Sequence, residues 1–315
     1  MKASGISISS VPVVQLRELI DQRLAATPQA IKQVAPIVEK VIPTTADNGT
    51  GNIKLTILRP VGSENEILPV AVYLHGGGWM FGSLRSTEKF IKDVVVKAHI
   101  AVVYVEYTLS PEVRHPVAIE ECYSSILWVH ENAVSLNVDP SKLTVFGDSA
   151  GGNMTAVTSI LLKQRGHGDV VHGQILIYPS TAYIRHDNES FKDYGNGDYT
   201  LSKEDMRYFA THYYGDEHKR QVNGHWIYGP EQINAAPLVA TDDELKGLPR
   251  CLTLTAECDV LCDEGEEYAR RLTAVGVDSC AVRVIGAIHG FVTSTVPDTP
   301  QYRQALQLIG SFLKE

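Results

Sequence analysis

The chain has 315 residues, 44% of them hydrophobic and 21% charged, which is an ordinary globular composition and long enough to bury a large core without staples. Its 28 Lys and Arg against 37 Asp and Glu leave a formal charge of −9, which argues against nucleic acid or an anionic membrane surface as partner, since both need clustered cations. Five cysteines are too few, and odd in number, for a disulfide framework; Cys251, Cys258 and Cys262 lack the spacing of a zinc site, so reduced buried thiols and no metal are expected.

The N-terminal stretch is broken by serines and Pro12 and does not read as a signal peptide. No run approaches the roughly 18 apolar residues of a membrane span, and a cytoplasmic location is expected. Residues 12–40 show helical periodicity, with Val13, Leu16, Ile20 and Leu24 on one side. Residues 55–58 alternate as an outer strand would. The short apolar run 70–74 ends at His75-Gly76-Gly77-Gly78-Trp79. Residues 100–105 are almost continuously apolar, as a strand buried on both faces should be. A helical pattern follows at 117–133, then a strand at 143–146 that ends at Gly147-Asp148-Ser149-Ala150-Gly151, then a helix at 150–163. After a strand at 175–178 comes an insertion, 184–247, rich in Gly, Asp, Asn and aromatics that include Tyr208, Phe209, Tyr213 and Trp226. The chain closes with a strand at 252–255, a helix at 263–275, a strand at 281–285 and a helix at 301–313. Strands alternating with helices predict an α/β fold with a mostly parallel central sheet covered on both faces.

The chemistry-bearing residues stand at the carboxyl ends of these strands. A G-x-S-x-G motif between a strand and a helix is the setting of a nucleophile elbow, where a sharp turn projects the serine Oγ and leaves no room for side chains on either flank. The three glycines after residue 74 let backbone N–H groups approach a developing oxyanion, and Gly76, Gly77 and Ala150 are assigned as its donors. His75 belongs to that loop as a structural residue. Serine needs a base within hydrogen-bond reach, and His289 in Ile288-His289-Gly290-Phe291 follows a late strand as that base should. The base needs a buried carboxylate. Glu257, Asp259, Asp263 and Glu264 compete; helix capping accounts for the last two, and Asp259 lies in the loop itself. Trp79, Tyr183 and Phe291 are candidate substrate contacts.

Together, the residues of 75–79, Tyr107-Thr108-Leu109-Ser110-Pro111-Glu112, 147–152, 259–265 and 288–291 resemble the hormone-sensitive-lipase-like family of esterases. The match runs in order from about residue 70 to the end, and departs from the family at Thr108 and Cys262, outside the catalytic groups. The resemblance implies an α/β-hydrolase fold with a helical cap and hydrolysis of short- to medium-chain acyl esters through Ser149, His289 and Asp259, without a cofactor. The division expected is a catalytic core at 46–183 and 248–315, with a cap at 1–45 and 184–247. A small-molecule ester is the expected partner, and the protein is taken as a monomer or homodimer. An amidase, a lactonase or a natural-product deacetylase would use the same triad. A receptor built on this scaffold would lack the histidine that is present here as His289.

Overall fold

The structure, a computed structural model, describes residues 11–26, 30–44, 49–182, 187–222, 224–293 and 298–315. Helix α1 (Val13–Ala26) leads into strands β1 (Val38–Pro43), β2 (Asn52–Leu58) and β3 (Leu68–Leu74), helix α2 (Leu84–Ala98) and β4 (Ala101–Glu106). Helix α3 (Val117–Glu131), β5 (Val138–Asp148), α4 (Ala150–Gln164) and β6 (Gly173–Ile177) complete the first half. The insertion holds α5 (Glu189–Tyr194), α6 (Lys203–Tyr214), a small hairpin of β7 (Arg220–Val222) and β8 (His225–Ile227), and the single turn α7 (Asp242–Leu245). Strand β9 (Arg250–Cys258), α8 (Cys262–Ala274), β10 (Ser279–Ile288) and α9 (Pro300–Phe312) close the chain.

The main sheet has eight strands in the order β1-β2-β4-β3-β5-β6-β9-β10. The first two pairings, β1 with β2 and β2 with β4, are antiparallel, and the others are parallel. Period-two alternation sends consecutive residues of the central strands into different cores. Val70, Val72 and Leu74 of β3 face one core with Val103, Val145 and the α3 and α4 side chains. Ala71 and Tyr73 face the other, with Phe90 of α2, Phe146 of β5 and Ile309 of α9. Burial on both sides explains why these strands read as unbroken apolar runs.

Strand β1 and helix α2 are absent from the sequence reading, as is the small hairpin of β7 and β8 in an insertion read as helical. Strand β1 lies at the sheet edge and exposes every residue but Ile42, so it carries little apolar pattern, and the segment assigned with the helical N-terminus contributes a strand to the sheet. Helix α2 is capped by Ser83 and Ser86, each side chain taking the other's backbone N–H. A serine replaces the Glu or Gln that normally marks such a box, and Val94-Val95-Val96 has the β-branched character of a strand.

Candidate active site

Strand β5 ends at Asp148 and α4 begins at Ala150, so the whole reversal falls on Ser149, held at φ 55° and ψ −116°. This is costly for a residue with a Cβ and is sustained only where the surroundings fix it. They do so here: the Ser149 N–H donates to the Ile177 carbonyl at 2.8 Å, and the Asn153 N–H donates to the Ser149 carbonyl at 3.0 Å. A Cβ on Gly151 would collide with the Leu74 carbonyl and one on Gly147 with the Gly151 carbonyl, so both flanks must be glycine.

The structure brings Ser149, His289 and Asp259 into one chain. His289 Nε2 lies 2.9 Å from Ser149 Oγ, and His289 Nδ1 lies 2.7 Å from Asp259 Oδ2. With Nδ1–H donating to the carboxylate, Nε2 is the acceptor for the serine hydroxyl. Asp259 is buried, and its Oδ1 accepts the Leu261 N–H at 3.1 Å. The His289 loop is fixed from two other sides. Thr200 Oγ1 donates to the His289 carbonyl at 2.8 Å, and the Tyr178 ring lies 4.8 Å from the imidazole.

The competing carboxylates are engaged elsewhere. Glu257 accepts the Gly286 N–H at 2.8 Å. Asp263 and Glu264 do not cap α8, whose first turn has no side-chain cap; Asp263 reaches the insertion and Glu264 the segment just before it. Asp263 accepts the Ser190 N–H at 2.9 Å in the first turn of α5, and Glu264 accepts those of Thr181 and Ala182 at 2.7 and 3.1 Å. His75 is not among the residues that line the cavity at Ser149. It is stacked between Tyr104 and Tyr107, with Nδ1 2.8 Å from the Gly76 carbonyl. Burial pushes its pKa down to about 4 and holds it neutral.

One assignment of the oxyanion donors requires correction. The Gly76 N–H donates to Asp148 Oδ1 at 2.9 Å and is not available to a ligand. Gly77, Gly78 and Ala150 line the cavity in front of Ser149. Among the described residues no protein acceptor takes their N–H groups. Gly77, Gly78 and Ala150 are thus the candidates left with free N–H groups at the cavity; the glycine pattern revealed the loop but not which N–H is spent. Asp148 itself is buried. Burial raises its pKa, against the hydrogen bonds from Tyr73 and Gly76 that favour the anion. The Tyr73 and Tyr178 hydroxyls are held far above their ordinary range by burial and by the neighbouring Asp148 charge, so they act as donors.

The cavity holds about 250 Å³. Trp79 lines it and stacks on Tyr213, ring centres 4.5 Å apart and nearly parallel. Phe291 does not line it: the ring packs against Tyr178 in the core, 5.5 Å away. Tyr183 lies outside the described residues. From the insertion come Thr200, Leu201, Met206 and Phe209. Of the insertion's aromatics, among the described residues, only Phe209 reaches the cavity; Tyr213 and Tyr214 pack into the core, and Trp226 is half exposed under Lys219. Sequence reasoning weighted the aromatics and missed Met206, which stands one turn before Phe209 on α6. Helix α1 packs on the segment after the glycine loop, in one cluster with Tyr208 and Phe209 of α6. Leu16 packs on Met80 and Phe81, and Arg17 donates to the Met80 and Ser110 carbonyls and pairs with Glu112. Among the described residues no group of His, Cys, Asp and Glu side chains is arranged to hold a metal, and no helix is long and apolar enough to cross a membrane.

Comparison with known proteins agrees with this geometry. A family model described as alpha/beta hydrolase fold matches residues 71–293. An arylesterase of Saccharolobus solfataricus is 31% identical over 91% of this chain and 90% of its own length. Carboxylesterase NlhH of Mycobacterium tuberculosis is 35% identical over 74% of this chain and 69% of its own. A solved fungal esterase from Rhizomucor miehei is 42% identical with a TM-score of 0.88, covering 98% of this chain and 92% of that one. With the strand order, the elbow and these relatives in agreement, the chain belongs to the hormone-sensitive-lipase-like family of α/β hydrolases and is a carboxylic ester hydrolase.

Proposed function

We propose that the protein hydrolyses neutral esters of short- to medium-chain acids by a two-step acyl transfer. The observation that carries this is the unbroken hydrogen-bonded line from Asp259 through His289 to Ser149 at the cavity floor. Ser149 Oγ attacks the acyl carbon while its proton passes to His289 Nε2. Asp259 holds the tautomer and stabilises the imidazolium. The carbonyl oxygen becomes an oxyanion facing the N–H groups of Gly77, Gly78 and Ala150, each such donor contributing roughly 3 kcal/mol to barrier lowering. His289 then protonates the departing alkoxide, leaving an acyl ester on Ser149. Water repeats the sequence: His289 takes its proton, the acid leaves, and Ser149 regains its hydrogen.

Substrate size follows from the walls. Met206, Leu201, Phe209 and Trp79 give the cavity an apolar lining of limited volume. Each buried CH₂ adds about 0.8 kcal/mol until the space is full, which suits acyl groups of roughly two to eight carbons. The net charge of −9 disfavours anionic substrates arriving by long-range steering. The insertion and α1 together act as the cap over this pocket. The test is kcat/KM across a p-nitrophenyl ester series with Ser149→Ala as control and a p-nitroanilide of the best acyl group alongside. Activity should peak within the short acyl range and vanish in the variant, and the anilide should be turned over far more slowly. A smooth rise to palmitate would contradict a cap-limited pocket, and an anilide cleaved as fast as the ester would mark an amidase.

A further inference from the structure

The three oxyanion donors stand on two separate segments, the loop after β3 and the first turn of α4. Backbone pairing between β3 and β5 ends at Leu74 and Gly147, short of all three. Beyond that point one side chain spans the gap. Asp148 Oδ1 accepts the Gly76 N–H at 2.9 Å and the Tyr73 hydroxyl at 2.5 Å, while Oδ2 takes a longer contact of 3.4 Å from the Tyr178 hydroxyl. A Cβ on Gly76 would meet Oδ2 at 2.5 Å, so the carboxylate lies directly against the loop. Asp148 is only 4% exposed, and among the described residues no Lys or Arg hydrogen-bonds to it. A carboxylate buried without a cation is costly, so packing alone does not account for it.

Taking Ser149 as the nucleophile, as proposed above, we infer that Asp148 is a positioning residue for acyl transfer. Its carboxylate clamps the oxyanion loop to the nucleophile elbow and sets the point on which the Gly77, Gly78 and Ala150 N–H groups converge. Tyr73 holds the carboxylate from below. Tyr178, in contact with both Asp148 and His289, references the base to the same anchor. The reacting ester never touches Asp148; the residue acts through Gly76 and through its own peptide link to Ser149.

The test compares Asp148→Ala, Asp148→Asn and wild type, each normalised by fluorophosphonate titration of Ser149. Kinetics on p-nitrophenyl butyrate give kcat and KM. Inhibition by an alkyl trifluoromethyl ketone gives a separate measure of the hole: Ser149 Oγ bonds to the ketone carbon, the serine proton goes to His289, and the carbonyl oxygen becomes an oxyanion. In Asp148→Ala, kcat per titrated site should fall by roughly 10²–10³, and the ketone Ki should rise by a similar factor. KM should stay within about threefold, as expected for an interaction made only in the transition state. Asp148→Asn keeps an Oδ1 acceptor and should recover to within about tenfold of wild type. An alanine variant that holds kcat within about threefold overturns the inference, as does one whose loss lies only in titratable sites or KM. Should the alanine variant not fold, Tyr73→Phe decides. Its kcat and ketone affinity should drop together by roughly three- to tenfold at constant KM, and unchanged values overturn the inference. Failure of the wild type to be titrated at Ser149 would instead overturn the nucleophile assignment.

Discussion

At the scale of single residues, the acid of the triad is the sharpest choice the sequence poses. Four carboxylates stand within eight positions of each other, and periodicity cannot rank them. The structure separates them by partner: Asp259 meets His289, Glu257 holds the Gly286 N–H, Asp263 anchors the insertion at Ser190, and Glu264 holds Thr181 and Ala182 just before it. Asp259→Asn is expected to lower kcat by about 10⁴, because the imidazole loses its orienting anion. Asp263→Asn is expected to lower it little and to cost about 1 kcal/mol of stability through the weakened hold on α5. Steady-state kinetics and thermal melts of the two variants check this, and the opposite ranking would contradict the assignment. His75 offers a second test. Its pKa falls from 6.5 to about 4 on folding because burial disfavours the imidazolium. The unfolded chain therefore binds more protons in that window, and stability rises with pH there. The contribution is complete above about pH 6.5 and is lost as pH falls toward 4, a difference of roughly 3 kcal/mol. Denaturant midpoints measured at pH 7 and pH 4.5 should fall more steeply for wild type than for His75→Asn; equal slopes would contradict a buried neutral His75.

At the scale of elements, the parts that sequence made legible are those with strong, redundant signals. Strands buried on both faces announced themselves, and the G-x-S-x-G turn put Ser149 at the end of one of them; His289 follows the edge strand β10, whose burial is slight, and was legible from the Ile288–Phe291 stretch rather than from an unbroken apolar run. The oxyanion loop was legible as a loop, but Gly76 and Gly78 are indistinguishable by residue type; only the presence of Asp148 against Gly76 shows which N–H is spent. The insertion was harder still. Aromatic content suggested a ring-lined pocket, whereas most of those rings fasten the insertion to the core, as Tyr213 does on Trp79. The pocket wall from α6 is Met206 with Phe209. Phe209→Ala should therefore enlarge the acyl pocket and move the optimum of the p-nitrophenyl series toward longer chains, each added CH₂ recovering about 0.8 kcal/mol in kcat/KM. An unmoved optimum would place the acyl chain elsewhere. Cysteine exposure also varies by element: Cys251 and Cys262 are buried with thiols pushed up to about 12, whereas Cys280 on the edge strand β10 is exposed, against the expectation of uniform burial.

At the scale of the whole molecule, the sheet is the device that assembles the site. Gly77 and Gly78 after β3, Ser149 after β5, Asp259 after β9 and His289 after β10 all emerge from carboxyl ends of parallel strands, so groups as far apart in sequence as Ser149 and His289 come within 2.9 Å. Helices on both faces bury the central strands and keep those ends in register, and Thr200, Leu201, Met206 and Phe209 of the insertion line the cavity in front of them. The claim on which everything turns is that Ser149 is the nucleophile. Diethyl p-nitrophenyl phosphate tests it directly, because attack on phosphorus releases p-nitrophenol and leaves a stable phosphoryl ester on the attacking oxygen. The expected result is loss of esterase activity in step with one equivalent of p-nitrophenol, with the diethylphosphoryl group found by peptide mass spectrometry on Ser149 and absent from Ser149→Ala. Esterase activity that survives the reagent, or an adduct on any other residue, would contradict it.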